Sequence, residues 1–187
     1  MKKLFKNNKG FSYAEMLLVL AIMAIMTGFA TISIGTVYRN NTGRIADQLY
    51  SAFYQTRSNA MTNGTKKGWI TFVNKDGNIY YHIGERVSPE VDGYFESYEW
   101  KKLCGDNIIF GVGDGYDPLV DGDAMMFGFD QATGKYLNYY IYNRSIHTTT
   151  MFSELDIVVF VETKNHKNKE TLQLDHVTGK IFRGFIN

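Results

Sequence analysis

Glu15 is the first residue whose type and place ask for a chemical account, because it is the only formal charge between Phe11 and Tyr38. A carboxylate at the head of an apolar run costs on the order of a few kcal/mol once removed from water, so it should have a partner or a use. Asp114, Asp117, Asp121 and Asp123 crowd one loop, and close-set oxygen ligands suit Ca²⁺. Their spacing departs from an EF-hand loop, so they read as a solvated turn and no metal site is assigned. Lys164, His166, Lys167 and Lys169 form a small basic loop that could reach DNA phosphates. A solvated hairpin tip is the favoured reading, and nucleic acid is a minor candidate partner. His82, His147, His166 and His176 are scattered, with neither an H-E-x-x-H pattern nor a cysteine at ligand spacing. Serine and cysteine occur in no nucleophile motif. The chain therefore reads as a non-enzyme with no catalytic residue and no cofactor.

The elements that must carry these residues begin with the stretch 11–38. A helix of that length reaches roughly 40 Å, more than the ~30 Å hydrocarbon thickness of a bilayer, so the expectation is a transmembrane helix. Lys2, Lys3, Lys6 and Lys9 precede it. The positive-inside bias then holds the N-terminus in the cytoplasm and sends everything after Tyr38 outside, a single pass through the cytoplasmic membrane. A cleaved secretory signal competes, with Ala21 to Ala24 or Gly28 to Ala30 as cleavage sites, but the apolar run continues past those sites and Glu15 interrupts its start.

Ile45, Ala46, Leu49, Ala52, Phe53, Ala60 and Met61 then recur at helical spacing, which predicts an amphipathic helix over 39–63 ending near Asn63-Gly64. Strands are expected at 69–73, 79–83, 108–112, 125–129, 136–142, 157–163, 171–174 and 181–185, each bounded by Gly, Asp or Asn. Two turns echo each other, Asp130-Gln131-Ala132-Thr133-Gly134-Lys135 and Asp175-His176-Val177-Thr178-Gly179-Lys180, which reads as reuse of a good hairpin turn. Tyr136, Tyr139, Tyr140 and Tyr142 make one strand aromatic on both faces, one expected against the helix and one against a neighbouring subunit. Cys104 is alone, so no intrachain disulfide forms.

Lys9-Gly10-Phe11-Ser12-Tyr13-Ala14-Glu15-Met16-Leu17-Leu18-Val19 resembles the class III signal of type IV prepilins and type II secretion pseudopilins. It has a short basic leader, a glycine, a phenylalanine, a glutamate four residues later and an apolar helix. The resemblance implies cleavage after Gly10 by a prepilin peptidase and N-methylation of Phe11. It also implies assembly in which Glu15 pairs with the Phe11 amine of a neighbouring subunit; in low dielectric such a pair registers one helix against the next. The implied fold is α+β and pilin-like, a long N-terminal helix with a transmembrane half and an amphipathic half packed on an antiparallel β-sheet domain. Its parts are a leader at 1–10, the transmembrane and assembly helix at 11–38, the amphipathic helix at 39–63 and the β-rich domain at 64–187. One departure is the lack of any proline before Pro89, where many major pilins kink the helix. The stretch Arg44 to Val73 is similar to minor pseudopilins of the H type.

The resemblance points to a structural subunit, leaning to a minor one, of a type IV pilus or a type II secretion-like pseudopilus. Its implied partners are prepilin peptidase, other pilin subunits, an assembly platform protein, its ATPase and the membrane. Two alternatives are a DNA-binding or adhesive tip pilin of a competence or pilus system, and a signal-anchored surface protein that does not assemble. The formal charge is +1; removal of the four leader lysines gives 1 − 4 = −3, so no global basic excess argues for nucleic acid.

Overall fold

The computed structural model describes residues 12–113, 117–153 and 156–185. The chain divides into two units, Met1–Tyr38 and Arg39–Asn187. Helix α1 runs from Tyr13 to Asn63 and ends where Gly64 takes a positive φ of 91°. A short 3-10 turn, Thr65–Lys67, leads into the strands.

In the 39–187 unit the apolar runs pair as two antiparallel sheets. The six-stranded sheet has the order β3-β2-β1-β6-β7-β8, formed by β1 Trp69–Lys75, β2 Asn78–Gly84, β3 Lys101–Cys104, β6 Ala124–Phe129, β7 Tyr136–Asn143 and β8 Thr148–Ser153. The five-stranded sheet has the order β11-β10-β9-β4-β5, formed by β4 Ile108–Val112, β5 Asp117–Pro118, β9 Ile157–Thr163, β10 Lys169–Leu174 and β11 Ile181–Phe185. The β1–β2 hairpin closes through Asp76 (φ 53°) and Gly77 (φ 73°), the two left-handed residues that a tight primed turn requires.

One apolar core draws on α1 and both sheets. Phe53 of α1 meets Phe127 edge-on at 5.3 Å between ring centroids, and Phe72 of β1 meets Phe110 of β4 at 4.8 Å. Such aromatic pairs add about 0.5–1.5 kcal/mol beyond the area they bury. Arg183 of β11 reaches the buried Glu170 of β10 at 3.2 Å and also pairs with Asp47 of α1, so the last strand is tied to the helix by charge. A second, smaller core lies on the other face of the six-stranded sheet. There Val73, Ala124, Met126 and Tyr142 are covered by Trp69, Tyr94, Phe95, Trp100 and Tyr140.

The expected architecture is corrected on two points. A single sheet laid on a half-transmembrane helix is replaced by a predominantly β unit of two antiparallel sheets. The physical reason is visible in the main core: Phe72 of β1 packs on Phe110 of β4 while Phe127 of β6 packs on Phe53 of α1, so the inner face of the six-stranded sheet is covered by the second sheet as well as by the helix, an area that one helix alone cannot cover. Second, among the described residues no helix is long and apolar enough to cross a membrane. The uninterrupted apolar run Met16–Met26 rises only about 16 Å against the ~30 Å of a bilayer core. The transmembrane reading of 11–38, the single-pass placement with its cytoplasmic N-terminus and outer domain, and the membrane designation are withdrawn.

Candidate functional site

Ser12 and Glu15 form a reciprocal capping box at the start of α1. The Ser12 N–H donates to Glu15 Oε2 at 2.8 Å, and the Glu15 N–H donates to Ser12 Oγ at 3.2 Å. Two amides that the helix itself leaves without partners are thereby bonded. A carboxylate here also complements the positive end of the helix dipole. Glu15 thus has a partner in its own chain and a use in starting the helix. The pattern Ser12-Tyr13-Ala14-Glu15 carries this signal in the sequence itself, a capping serine with glutamate three residues on. A carboxylate accepts several hydrogen bonds, so the cap leaves acceptor capacity for a second donor. Gly10 and Phe11, the expected cleavage, methylation and pairing residues, lie outside the described residues, as does the leader 1–10.

Beyond the cap, Met16, Leu17, Leu18, Leu20, Met23 and Met26 are all exposed. No charge interrupts them, and the first hydroxyl that follows is self-satisfied, Thr27 Oγ1 donating to Met23 O at 2.7 Å. Contiguous apolar surface of this kind marks an interaction site.

Two carboxylates of the acidic loop hold turns together. Asp121 Oδ1 accepts from the Asp76 N–H at 2.7 Å, and Asp123 Oδ1 accepts from the Arg144 N–H at 2.9 Å. Burial pushes the Asp123 carboxyl above its ordinary range, an effect that the Arg144 amide opposes. Asp117 opens β5, and Asp114 lies outside the described residues. Among the described residues no three His, Cys, Asp or Glu side chains converge as metal ligands.

The histidines are each partnered within the chain rather than brought together. His82 Nδ1 lies 3.0 Å from Glu99 O, His147 Nδ1 3.2 Å from the Tyr142 hydroxyl, His166 Nδ1 2.8 Å from Glu162 and His176 Nδ1 2.8 Å from Asp156. In the basic loop Lys169 Nζ sits 5.0 Å from the centre of the Phe160 ring, and the Lys164 amide donates to Asn107 O at 3.1 Å. The loop, with Lys167, is the tip of the β9–β10 hairpin. Cys104 is buried, and burial pushes its thiol up to about 12, which leaves it a poor nucleophile.

The β7 tyrosines correct one expectation. Their second face is covered by their own chain. Tyr140 lies 5.7 Å from the Trp69 ring with the Arg86 guanidinium 4.0 Å above it, and Tyr142 is buried in the smaller core. The cover comes from the segment Tyr94 to Trp100, in which Phe95 stacks on Trp100 at 5.0 Å and accepts the Trp100 indole N–H at 2.7 Å.

The candidate site is therefore the head of α1, a capped helix start followed by an uncharged apolar flank. Compared with known proteins, the chain matches no family model, no curated protein and no solved structure.

Proposed function

We propose that this chain is a structural subunit, a minor one, of a filament of the type IV pilus or type II secretion kind. It is processed after Gly10 by a prepilin peptidase and drawn into the filament by an assembly platform and its ATPase. The apolar flank Met16–Met26 packs against the same flank of other subunits, and the Glu15 carboxylate meets the new amine of a neighbour's Phe11.

The observation that supports this reading is the exposed apolar flank directly after the motif Gly10-Phe11-Ser12-Tyr13-Ala14-Glu15. Burying each such side chain is worth about 1.5–3 kcal/mol, and helix-on-helix packing between subunits supplies that burial. The capping box sets the Glu15 carboxylate beside the first turn, where an approaching amine finds the negative charge already oriented.

The test is mass spectrometry of the N-terminus of the protein extracted from its own host. A chain that begins at methylated Phe11 is the expected result; one that begins at Met1, or near Ala24 or Ala30, overturns the reading. Replacing Glu15→Ala should abolish incorporation into filaments while leaving the 39–187 unit folded.

A further inference from the structure

The two sheets end in four edge strands, and three of them are guarded. A strand edge offers a row of unpaired amides and carbonyls to any passing strand, and native proteins blunt it with lysine, proline or very short length. β3 carries exposed Lys101 and Lys102, β5 is two residues ending in Pro118, and β11 carries Arg183, engaged by Glu170 and Asp47. β8, Thr-Thr-Thr-Met-Phe-Ser, has six residues without charge, proline or glycine. Its inner edge pairs with β7 in unbroken register from Asn138↔Ser153 to Asn143↔Thr148, without a bulge. Its Met151 is 55% exposed.

We infer that β8 is an interaction edge, and that its occupant is β8 of a second copy of this chain, antiparallel about a two-fold axis at Met151. The strand is self-complementary in that register. Met151 faces its own copy and Thr150 lies opposite Phe152, while the Thr149 hydroxyl is held within its own chain by the Glu90 carboxylate. These are an apolar pair and a β-branched–aromatic pair, the kinds that stabilise adjacent strands, and no like charges lie directly opposite each other along the strand. An axis perpendicular to the sheet at a residue keeps each face continuous across the junction, because side chains alternate with period two. The two six-stranded sheets then join edge to edge. This inference stands apart from the filament reading, since it uses no residue of the head of α1.

Cysteine placement tests it. The experiment uses the full chain in a mild detergent that covers Met16–Met26, with Cys104 buried and inert as background. At the axis, Met151→Cys brings two thiols to opposed positions about 4.5–5.5 Å apart between Cα atoms, within disulfide reach. Mild oxidation should therefore yield a linked dimer. Thr148→Cys places the two cysteines roughly 20 Å apart along the paired strands, and Lys101→Cys sits on the opposite edge, so both should link at least about tenfold more slowly. Adding Thr150→Lys to Met151→Cys should abolish the link by setting a charge on the edge. A Met151→Cys chain that stays monomeric overturns the inference. So does linkage no faster than that of Lys101→Cys, preferential linkage through Thr148→Cys, or linkage that survives Thr150→Lys.

Discussion

Leu18 and Leu49 stand on the same helix, yet Leu18 is 62% exposed and Leu49 is fully buried. Residue type does not separate them; what surrounds them does. Around Leu49, the strands of both sheets close over Ile45, Ala52 and Phe53. Around Leu18, its neighbours Leu17 and Leu20 are exposed as well. One helix thus carries two apolar surfaces, one covered by the strands of its own chain and one exposed. The hydrophobic effect scales with area removed from water, so only the first contributes to the folding of a lone chain.

The largest expected effect breaks or upholds that contrast directly. Phe53 touches Phe72 at 5.7 Å, Phe127 at 5.3 Å and Phe129 at 6.5 Å between ring centroids. Phe53→Ala should cost about 3–5 kcal/mol in the denaturant unfolding of the globular unit, through lost burial and the cavity left behind. Leu18→Ala should cost less than about 0.5 kcal/mol in the same measurement. Similar losses for the two variants would mean that the flank is buried within a single chain, and the contrast would fall.

Much of the buried half was legible in the sequence. Apolar runs bounded by Gly, Asp and Asn coincide with β1, β2, β4, β6, β7, β9, β10 and β11, because strand periodicity and turn chemistry are local signals. β3 was not legible, since Lys101 and Lys102 give it no alternation, and β8 was hidden by its threonines. The split into two sheets could not be read at all, because alternation tells which residues share a face but not which strands pair. The cover over Tyr140 and Tyr142 was equally hidden, as Tyr94 to Trp100 has no period and acts through ring stacking. At the candidate site the Ser12–Glu15 cap was readable from its spacing, whereas the exposure of Met16–Met26 needed the structure.

A second, smaller effect sharpens the contrast inside the globular unit. The turns at 130–135 and 175–180 share their bonding. Gly134 N and Gly179 N both donate to the aspartate carbonyl four residues earlier at 2.9 Å. The two turns also meet: a Cβ on Gly179 would contact Gly134 O and lie 2.9 Å from Lys135 Cα. A Cβ on Gly134 would instead meet Met61 Sδ at 2.7 Å and Arg57 Nε at 2.9 Å, side-chain atoms with more freedom to move. Both glycines have φ near 65°, which alone costs a substituted residue about 1 kcal/mol. Gly179→Ala should therefore lose about 3 kcal/mol against about 1–2 kcal/mol for Gly134→Ala, the difference being backbone that cannot yield. Equal losses would show that the turns do not hold each other.

The smallest effect is electrostatic, and it too belongs to the globular unit. The Thr133 hydroxyl and amide hold the Asp130 carboxyl below its usual range, the Thr178 amide does so for Asp175, and the His176 amide and ring do so for Asp156. A carboxyl whose folded pKa is depressed adds stability above its unfolded value, near 4, and loses it as pH falls through the folded value. Asp123, raised by burial, works in the opposite sense: its folded form takes up a proton first, so stability is regained on acidification. Three depressed groups against one raised group give a modest net fall in thermal midpoint below about pH 4. Asp175→Asn should flatten that acid slope. Asp123→Asn, which keeps an acceptor for the Arg144 amide, should steepen it, and an unchanged slope in both variants would place the acid sensitivity outside these turns.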